Sequence, residues 1–206
     1  QDGNALAAVT NSAVTNNVTS SVTVTDDFSS GDMSSDLADD ADWGYTYQEV
    51  GTAIYQDPNA DTELTPGHGA TRRLIARHAT TTTTDDNYAE VTFGATIGSG
   101  STENGVAARL DASGNGYAAT TTASGGLTLW RLDAGAATSL DTDTYTYSAA
   151  DTLRIECSGS SISATIGAAS VSATDATHSA GEGVGLYSDA SISNAIAYDT
   201  FEGGDL

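Results

Sequence analysis

Residues 151–173, DTLRIECSGSSISATIGAASVSA, decide the fold. Leu153, Ile155 and Cys157 recur at every second position, the period of a strand with one buried face. The turn at Ser158-Gly159-Ser160 sends the chain back through 161–173, so the stretch reads as a hairpin and its continuation. The same theme runs through the chain from residue 26. RRLIARH (72–78) alternates Leu74 and Ala76 against Arg73, Ile75 and Arg77, and YAEVTFGATI (88–97) places Val91, Phe93, Ala95 and Ile97 on one face. GVAARLDASGNGYAATTT (105–122) is a hairpin, with Val106, Ala108 and Leu110 before the turn DASGNG. GLTLWRLD (126–133), DTYTYS (143–148), GVGLYSDA (183–190) and NAIAYDTFE (194–202) complete the series. No long stretch carries the 3.6-residue apolar period of a helix. The fold class is all-β, an antiparallel β-sandwich with an extended N-terminal arm.

Composition agrees. The 206 residues include 22 Gly and only 2 Pro, and Gly supplies the positive φ that tight turns between short strands need. The charge balance is extreme: 21 Asp, 7 Glu, 6 Arg and no Lys, a net charge of −22. A short carboxylate holds water and exposes little apolar stem, whereas Lys exposes a long one. Concentrated salt, with a Debye length of about 3 Å at 1 M, screens the self-repulsion of such a surface. This composition points to a protein that works in brine. It argues against nucleic acid as a partner, since phosphate binding needs basic patches. No apolar stretch is long enough for a membrane-spanning helix. Cys157 is the single cysteine, so no disulfide forms within the chain, and its place beside Leu153 and Ile155 makes it a small buried hydrophobe.

Residues 1–25 differ from the rest, with no aromatic, no Arg and one charge, Asp2. They read as an arm or anchor whose end, where Val22 and Val24 alternate with Thr, reads as a candidate strand, and residues 26–206 read as the domain. The chain begins at Gln1 rather than Met, which is read as an earlier segment removed or a start outside this numbering. Asn17-Val18-Thr19 is a glycosylation triplet, a pattern that Asn/Thr-rich sequence also produces by chance. The domain opens on DDFSSGDMSSDLADDADWGY (26–45), where seven aspartates surround Phe28, Leu37 and Trp43. Three readings compete for this charge: a metal site, an anionic surface for a partner, or solvation chemistry unrelated to any site.

The order of these pieces resembles a known family. DDFSSGDMSSDLADDADW opens the domain, ARLDASGNGYAATTTASGGLTLWRLDAG lies in the middle, LRIECSGSSISATIG and GEGVGLYS follow, and YDTFEGGDL closes it. Together they are similar to the concanavalin A-like or laminin-G-like jelly roll, in the variety found in phage and bacterial surface proteins. The resemblance covers residues 26–206. It implies that the first and last strands pair, with Phe28 near Phe201, that Phe28 and Trp43 are core anchors, and that the aspartates between them ride on an exposed, hydrated loop. It also implies a function among glycan, protein or calcium binding, enzyme scaffolding and structural roles on cell and virus surfaces.

No catalytic motif accompanies it. None of the seven glutamates begins the Glu-x-Asp-x-x-Glu strand of hydrolases with this fold, no Gly-x-Ser-x-Gly occurs, and His68, His78 and His178 lack metal spacing. No cofactor is expected, calcium apart. Asp111 and Asn115 sit where a calcium loop places its first ligands, but Thr122 stands where a bidentate Glu is needed, so the stretch reads first as a turn. Asp26 and Asp27, in the acidic stretch, are the other candidate calcium ligands. Arg72, Arg73 and Arg77 hold half the positive charge and read either as a clamp for an anionic glycan or acidic subunit, or as partners of the chain's own acids. Tyr145 and Tyr147 fall on one strand face, as core or as a ledge for a sugar.

The expected function is a non-enzymatic structural or adhesion module on a virus particle surface, a capsid decoration, turret or fibre protein of a virus with a haloarchaeal host. Its expected partners are other virion proteins, copies of itself as a homo-oligomer, and host glycans. The alternative is a carbohydrate-binding lectin-like module of a secreted or cell-surface protein of a halophile. Both place the chain outside the cell in high salt. If the charge is an adaptation to brine, the thermal unfolding midpoint falls on dialysis from molar to low salt; a midpoint that holds or rises removes the argument.

Overall fold

The computed structural model describes residues 21–28, 41–48, 54–56, 64–66, 72–96, 103–190 and 196–206. Among these residues there are strands and turns and no α-helix. The strands are β1 (Thr23–Asp26), β2 (Trp43–Gln48), β3 (Ile54–Gln56), β4 (Leu64–Pro66), β5 (Arg72–His78), β6 (Asn87–Thr96), β7 (Glu103–Leu110) and β8 (Gly116–Thr122). They continue with β9 (Leu127–Asp133), β10 (Ala136–Asp143), β11 (Thr152–Ser158), β12 (Ser161–Ile166), β13 (Ala169–Thr174), β14 (Gly183–Ala190) and β15 (Ile196–Asp205). One sheet has the order β13-β12-β11-β6-β15-β4-β3, with β1 also paired to β15; the other has the order β10-β9-β8-β7-β14-β5-β2.

Alternation explains the sandwich. Leu153, Ile155 and Cys157 of β11 are fully buried while Arg154 and Glu156 between them face out. They share one apolar cluster with Val91 and Phe93 of β6, and with Leu74, Val106, Leu129 and Leu186 of the opposite sheet. Each such side chain removed from water contributes about 1.5–3 kcal/mol. Burial pushes the Cys157 thiol up to about 12, in keeping with a packing role.

One strand departs from strict alternation. The sequence places Leu110 with Val106 and Ala108, but in the structure Leu110 joins a second cluster with Ile75, Ala118, Leu132 and Tyr187 on the other face of the sheet. The cause is a bulge: Arg109 takes a φ of 51°, and the register of β7 against β14 slips between Gly183 and Gly185. Arg109 is 1% exposed and donates to the carbonyls of Asp85 and Gly159 and to the Asp86 carboxylate, at 2.5, 2.6 and 3.0 Å. It thereby ties the β11–β12 turn and the approach to β6 to the second sheet.

The second sheet curls. Arg73 on β5 donates to the carbonyl of Gly135, in the β9–β10 turn, at 2.7 Å. Four strand spacings separate β9 from β5 in the sheet order, about 19 Å if the sheet were flat. The hairpin tip therefore folds over the outer face and packs on Tyr47. A Cβ at Gly135 would lie 2.1 Å from the Tyr47 ring, so only glycine fits there. This closure is why the second cluster is buried although it lies outside the sandwich.

The end of the arm is a strand, as the alternation of Val22 and Val24 suggested, so the sandwich begins ahead of residue 26: β1 pairs with β15 from Thr23↔Gly204 to Asp26↔Phe201, and Val24 is buried. Residues 1–20, with Asn17, lie outside the described residues, as does 29–40 of the acidic stretch. DTYTYS is irregular beyond Asp143, and the strand lies before it, in β10. Most β10 side chains are exposed, so the apolar pattern that would mark it is absent.

Asp205 secures the end of β15. Its carboxylate accepts from the backbone N–H of Val22, Thr83 and Thr84 and from both threonine hydroxyls. Burial raises its pKa, but the bonds from Val22, Thr83 and Thr84 outweigh this and hold it down to about 2. A carboxylate with a depressed folded pKa contributes stability above its unfolded value, lost as pH falls through the folded one. Unfolding free energy is therefore expected to drop between about pH 4 and pH 2. Asp205→Asn is expected to lower stability by about 1–2 kcal/mol at neutral pH and to flatten that acid limb, measured by denaturant titration across pH.

Candidate functional site

The seam where β1 meets β2 is built around Trp43. Its ring packs edge-on against Phe201 at 5.1 Å and His78 at 5.2 Å, with Phe28 at 6.2 Å. Asp26 joins the two sheets here: one carboxylate oxygen accepts from the Phe28 N–H and the other from the Trp43 indole N–H, both at 2.7 Å. The first bond closes a tight turn in which Phe28 takes a φ of 51°, directing its ring back into the core.

A cleft of about 520 Å³ opens beside this seam. Asp26, Asp27, Asp42, Glu90 and Glu202 line it, together with three threonines (Thr25, Thr92 and Thr200), His78 and the edge of Phe201. The antiparallel register sets Glu90 of β6 opposite Glu202 of β15 on the outer face of the first sheet. Two carboxylates so placed repel, and the neighbouring strands compensate. The Tyr88 hydroxyl donates to Glu202 at 2.5 Å, while Arg154 bonds Glu156 at 2.7 Å and reaches Glu90 at 3.4 Å. The Arg154 guanidinium lies 3.8 Å above the Tyr88 ring, a cation–π contact. Burial, and then the Glu202 carboxylate, raise the Tyr88 pKa, so the phenol stays a proton donor.

The residues singled out in the sequence separate. Asp111 accepts from the N–H groups of Ser113 and Asn115 and from the Asn115 amide, and the Asn115 oxygen accepts from the Ala134 N–H. These bonds make the stretch the turn that the Asn-Gly pair announces and commit its oxygens to the protein's own donors. Asp26 is the strut described above, and Asp27 stands at the cleft. Among the described residues no group of three or more His, Cys, Asp or Glu side chains is arranged to hold a metal ion. Tyr145 donates to Asp151, and Tyr147 to the carbonyl of Gly94. Both rings pack partly on the core instead of forming a ledge. Trp130 donates its indole N–H to Thr120, whose hydroxyl donates to the half-buried Glu103. Arg73 pairs with Asp189 at 2.8 Å. Among the described residues Arg77 pairs with no acid, and it lines a separate cavity; the Arg72 side chain lies outside the described residues. Glu90, Glu202 and Tyr88 were not singled out, because their meeting depends on the pairing of β6 with β15 across more than a hundred residues.

No family model matches the chain, and no curated protein matches it. Solved structures do. Carbohydrate binding module CBM66 from Bacillus subtilis aligns with a TM-score of 0.52 at 14% identity, over 80% of this chain and 92% of that one. The exoplasmic/lumenal domain of VIP36 in its Ca²⁺/Man-bound form aligns at 0.56 and 9%, over 80% and 83%. The GH43 protein BlXynB (K247S mutant) from Bacillus licheniformis aligns at 0.55 and 14%, over 85% of this chain but only 39% of that one. At these identities the likeness is one of fold: the chain shares the two-sheet antiparallel β-sandwich of these domains, the fold class its sequence led us to expect.

Asp26→Ala removes the acceptor of a partly buried indole N–H and of the Phe28 turn. A loss of about 2–3 kcal/mol in denaturant unfolding is expected, with a smaller loss for Asp26→Asn, which keeps one acceptor. Equal losses would show that the charge, rather than the strut, matters.

Proposed function

We propose that this chain is a non-enzymatic carbohydrate-binding module whose ligand sits in the acid-lined cleft beside Trp43. The observation that carries the reading is the state of the cleft's carboxylates. Glu202 already accepts from Tyr88, Glu90 is paired with Arg154, and Asp26 accepts from Trp43. Each is thus partly neutralised and fixed in orientation, yet keeps lone pairs toward an open polar cleft. Such acceptors suit the hydroxyls of a sugar, and Thr25, Thr92 and Thr200 add groups that both donate and accept. A bare acidic patch would favour a cation instead. The VIP36 and CBM66 likenesses support the reading at the level of fold, and VIP36 also occurs in a calcium-bound form.

This reverses the order of the two functions drawn from the sequence. The virus-surface role has no support among the structural neighbours, whereas an extracellular place agrees with them. Work in concentrated salt rests on the charge of −22 alone. Glu90 and Glu202 face each other as an acid pair of a glycosidase might be imagined to, but both are held as hydrogen-bond acceptors by neighbouring donors, which suits binding better than proton transfer to a leaving group.

A glycan array followed by calorimetry tests the reading. The protein is expected to bind a defined oligosaccharide with micromolar to millimolar affinity, with no new reducing ends released on long incubation. Glu90→Gln and Glu202→Gln are each expected to weaken binding about 5–10-fold, since acceptors that carry charge make the stronger bonds. The absence of any glycan binding would overturn the proposal.

A further inference from the structure

A second cavity, of about 260 Å³, shares His78 with the first and differs from it in charge. Arg77, His78, Thr46, Gly44, Trp43 and Ala112 are among its lining residues, and among the described residues no carboxylate is. The first cleft carries outer-face residues of the first sheet, whereas Arg77, alternating with the inward Ala76, stands on the outer face of the second, so the two cavities flank His78 from different sides.

Arg77 is the unusual member. Arg73, Arg109, Arg131 and Arg154 each form an ion pair with an Asp or Glu. Arg77 alone among the arginines with described side chains has neither an ion pair nor a hydrogen bond, and its Nε is buried without a partner. Its chain carries 28 acids against 6 arginines, so a counter-ion is easy to supply from within. A half-buried guanidinium gives up part of its hydration, and an uncompensated one is held at a cost in stability. The nearest acid in sequence on the facing turn, Asp111, is committed to Ser113 and Asn115.

The backbone makes room for this arrangement. In register, Arg77 stands between Gly44 of β2 and Gly185 of β14. A Cβ on Gly183 would lie 2.2 Å from Arg77 Nε, so the guanidinium stem lies flat over that glycine. On the other side, a Cβ on Gly44 would meet nothing within 4 Å. The space beside Arg77 is therefore open over Gly44, and a larger residue there would fill it.

We infer that the Arg77 cavity is a subsite for an anionic substituent, specifically the carboxylate of one residue of an acidic oligosaccharide, another part of which reaches the acid-lined cleft beyond His78. The inference rests on the carbohydrate reading above and sharpens its substrate class. The planar guanidinium matches a carboxylate, and the ion pair forms in a partly desolvated place where it counts for more than at the surface. The acid-lined cleft by itself would repel an acidic sugar, so Arg77 decides whether one is accepted and in which orientation.

The test compares an oligogalacturonate with its methyl ester, the same ring with the carboxylate masked, at fixed salt. The wild type is expected to bind the acid form about ten-fold more tightly than the ester. Arg77→Gln is expected to bring the two within two-fold of each other, and Arg77→Lys to keep part of the preference. Gly44→Val fills the space without touching the charge and is expected to remove the preference as well, with thermal melts confirming that each variant folds. A preference that survives both Arg77→Gln and Gly44→Val, or a wild type that prefers the ester, overturns the subsite. If the wild type binds neither sugar while the glycan array shows another ligand, the acidic-sugar subsite is overturned and the carbohydrate reading stands; if the array is also blank, both fall. Poly-glutamate then separates the remaining cases: Arg77-dependent binding assigns the cavity to an acidic protein partner and overturns the sugar, and no binding overturns the anion subsite too.

Discussion

The structure depends on the place of its last strand. β15 lies inside the first sheet, with β6 along one edge and β1 and β4 along the other. A chain that opens and closes in adjacent strands must bring its ends together before the sheet is complete, and that contact has the longest loop closure in the molecule. The compensating interactions gather there. Phe201 and Val24 are buried on the inner face, Asp205 collects donors from β1 and from the loop before β6, and Asp26 carries the seam across to Trp43. The candidate cleft is a consequence of the same pairing, because it sets Glu90 opposite Glu202 and places Thr25 beside them.

The abundance of aspartate has a second meaning besides hydration. Asp26, Asp86, Asp111, Asp151, Asp175 and Asp205 all accept backbone N–H groups, at Phe28, Gly159, Ser113, Ser148, Thr177 and Val22. Four of these bonds are local, since a short carboxylate can reach back to its own turn, and two, at Asp86 and Asp205, fasten segments distant in sequence. At Asp175 burial works against ionisation, but bonds from Thr177, Arg131 and Tyr117 prevail and hold the carboxyl well below its usual range. A chain built of short strands has many turns to close. Part of its negative charge is thus structural, and the net charge overstates how much is free to face solvent or salt.

What the sequence revealed and what it concealed follow from range. Alternation is local, so β5, β6 and β11 were legible, and so was the turn at Asp111-Asn115. The pairing of β1 with β15 and the Phe28–Trp43–Phe201 cluster came from the family resemblance, since no local pattern carries them. The bulge at Arg109 was hidden, because nothing in VAARL says that its third alternate residue will turn to the other face. The strand Ala136–Asp143 was hidden because an exposed edge needs no apolar period. For the site, Arg77 and Asp26 could be named from composition, but not their roles. Pairing with the chain's own acids was the natural expectation for every arginine, and it holds for Arg73 through Asp189, a residue that only the β5–β14 register brings alongside.

The departure of Arg77 from that expectation is informative because the rest of the molecule obeys it so closely. Arg131 bridges Asp133 and Asp175, Arg154 bridges Glu90 and Glu156, and Arg109 is enclosed by two carbonyls and a carboxylate. In each case the cation fastens one loop or strand to another, and its removal would be felt as lost stability. Arg77 fastens nothing. Glycines flank it on both neighbouring strands, so its position is allowed by missing side chains instead of being held by present ones. On the proposed reading, a guanidinium kept in that condition serves a charge that arrives from outside. A ligand that also reaches past His78 to the acceptor-rich cleft then carries hydroxyls as well as an anion.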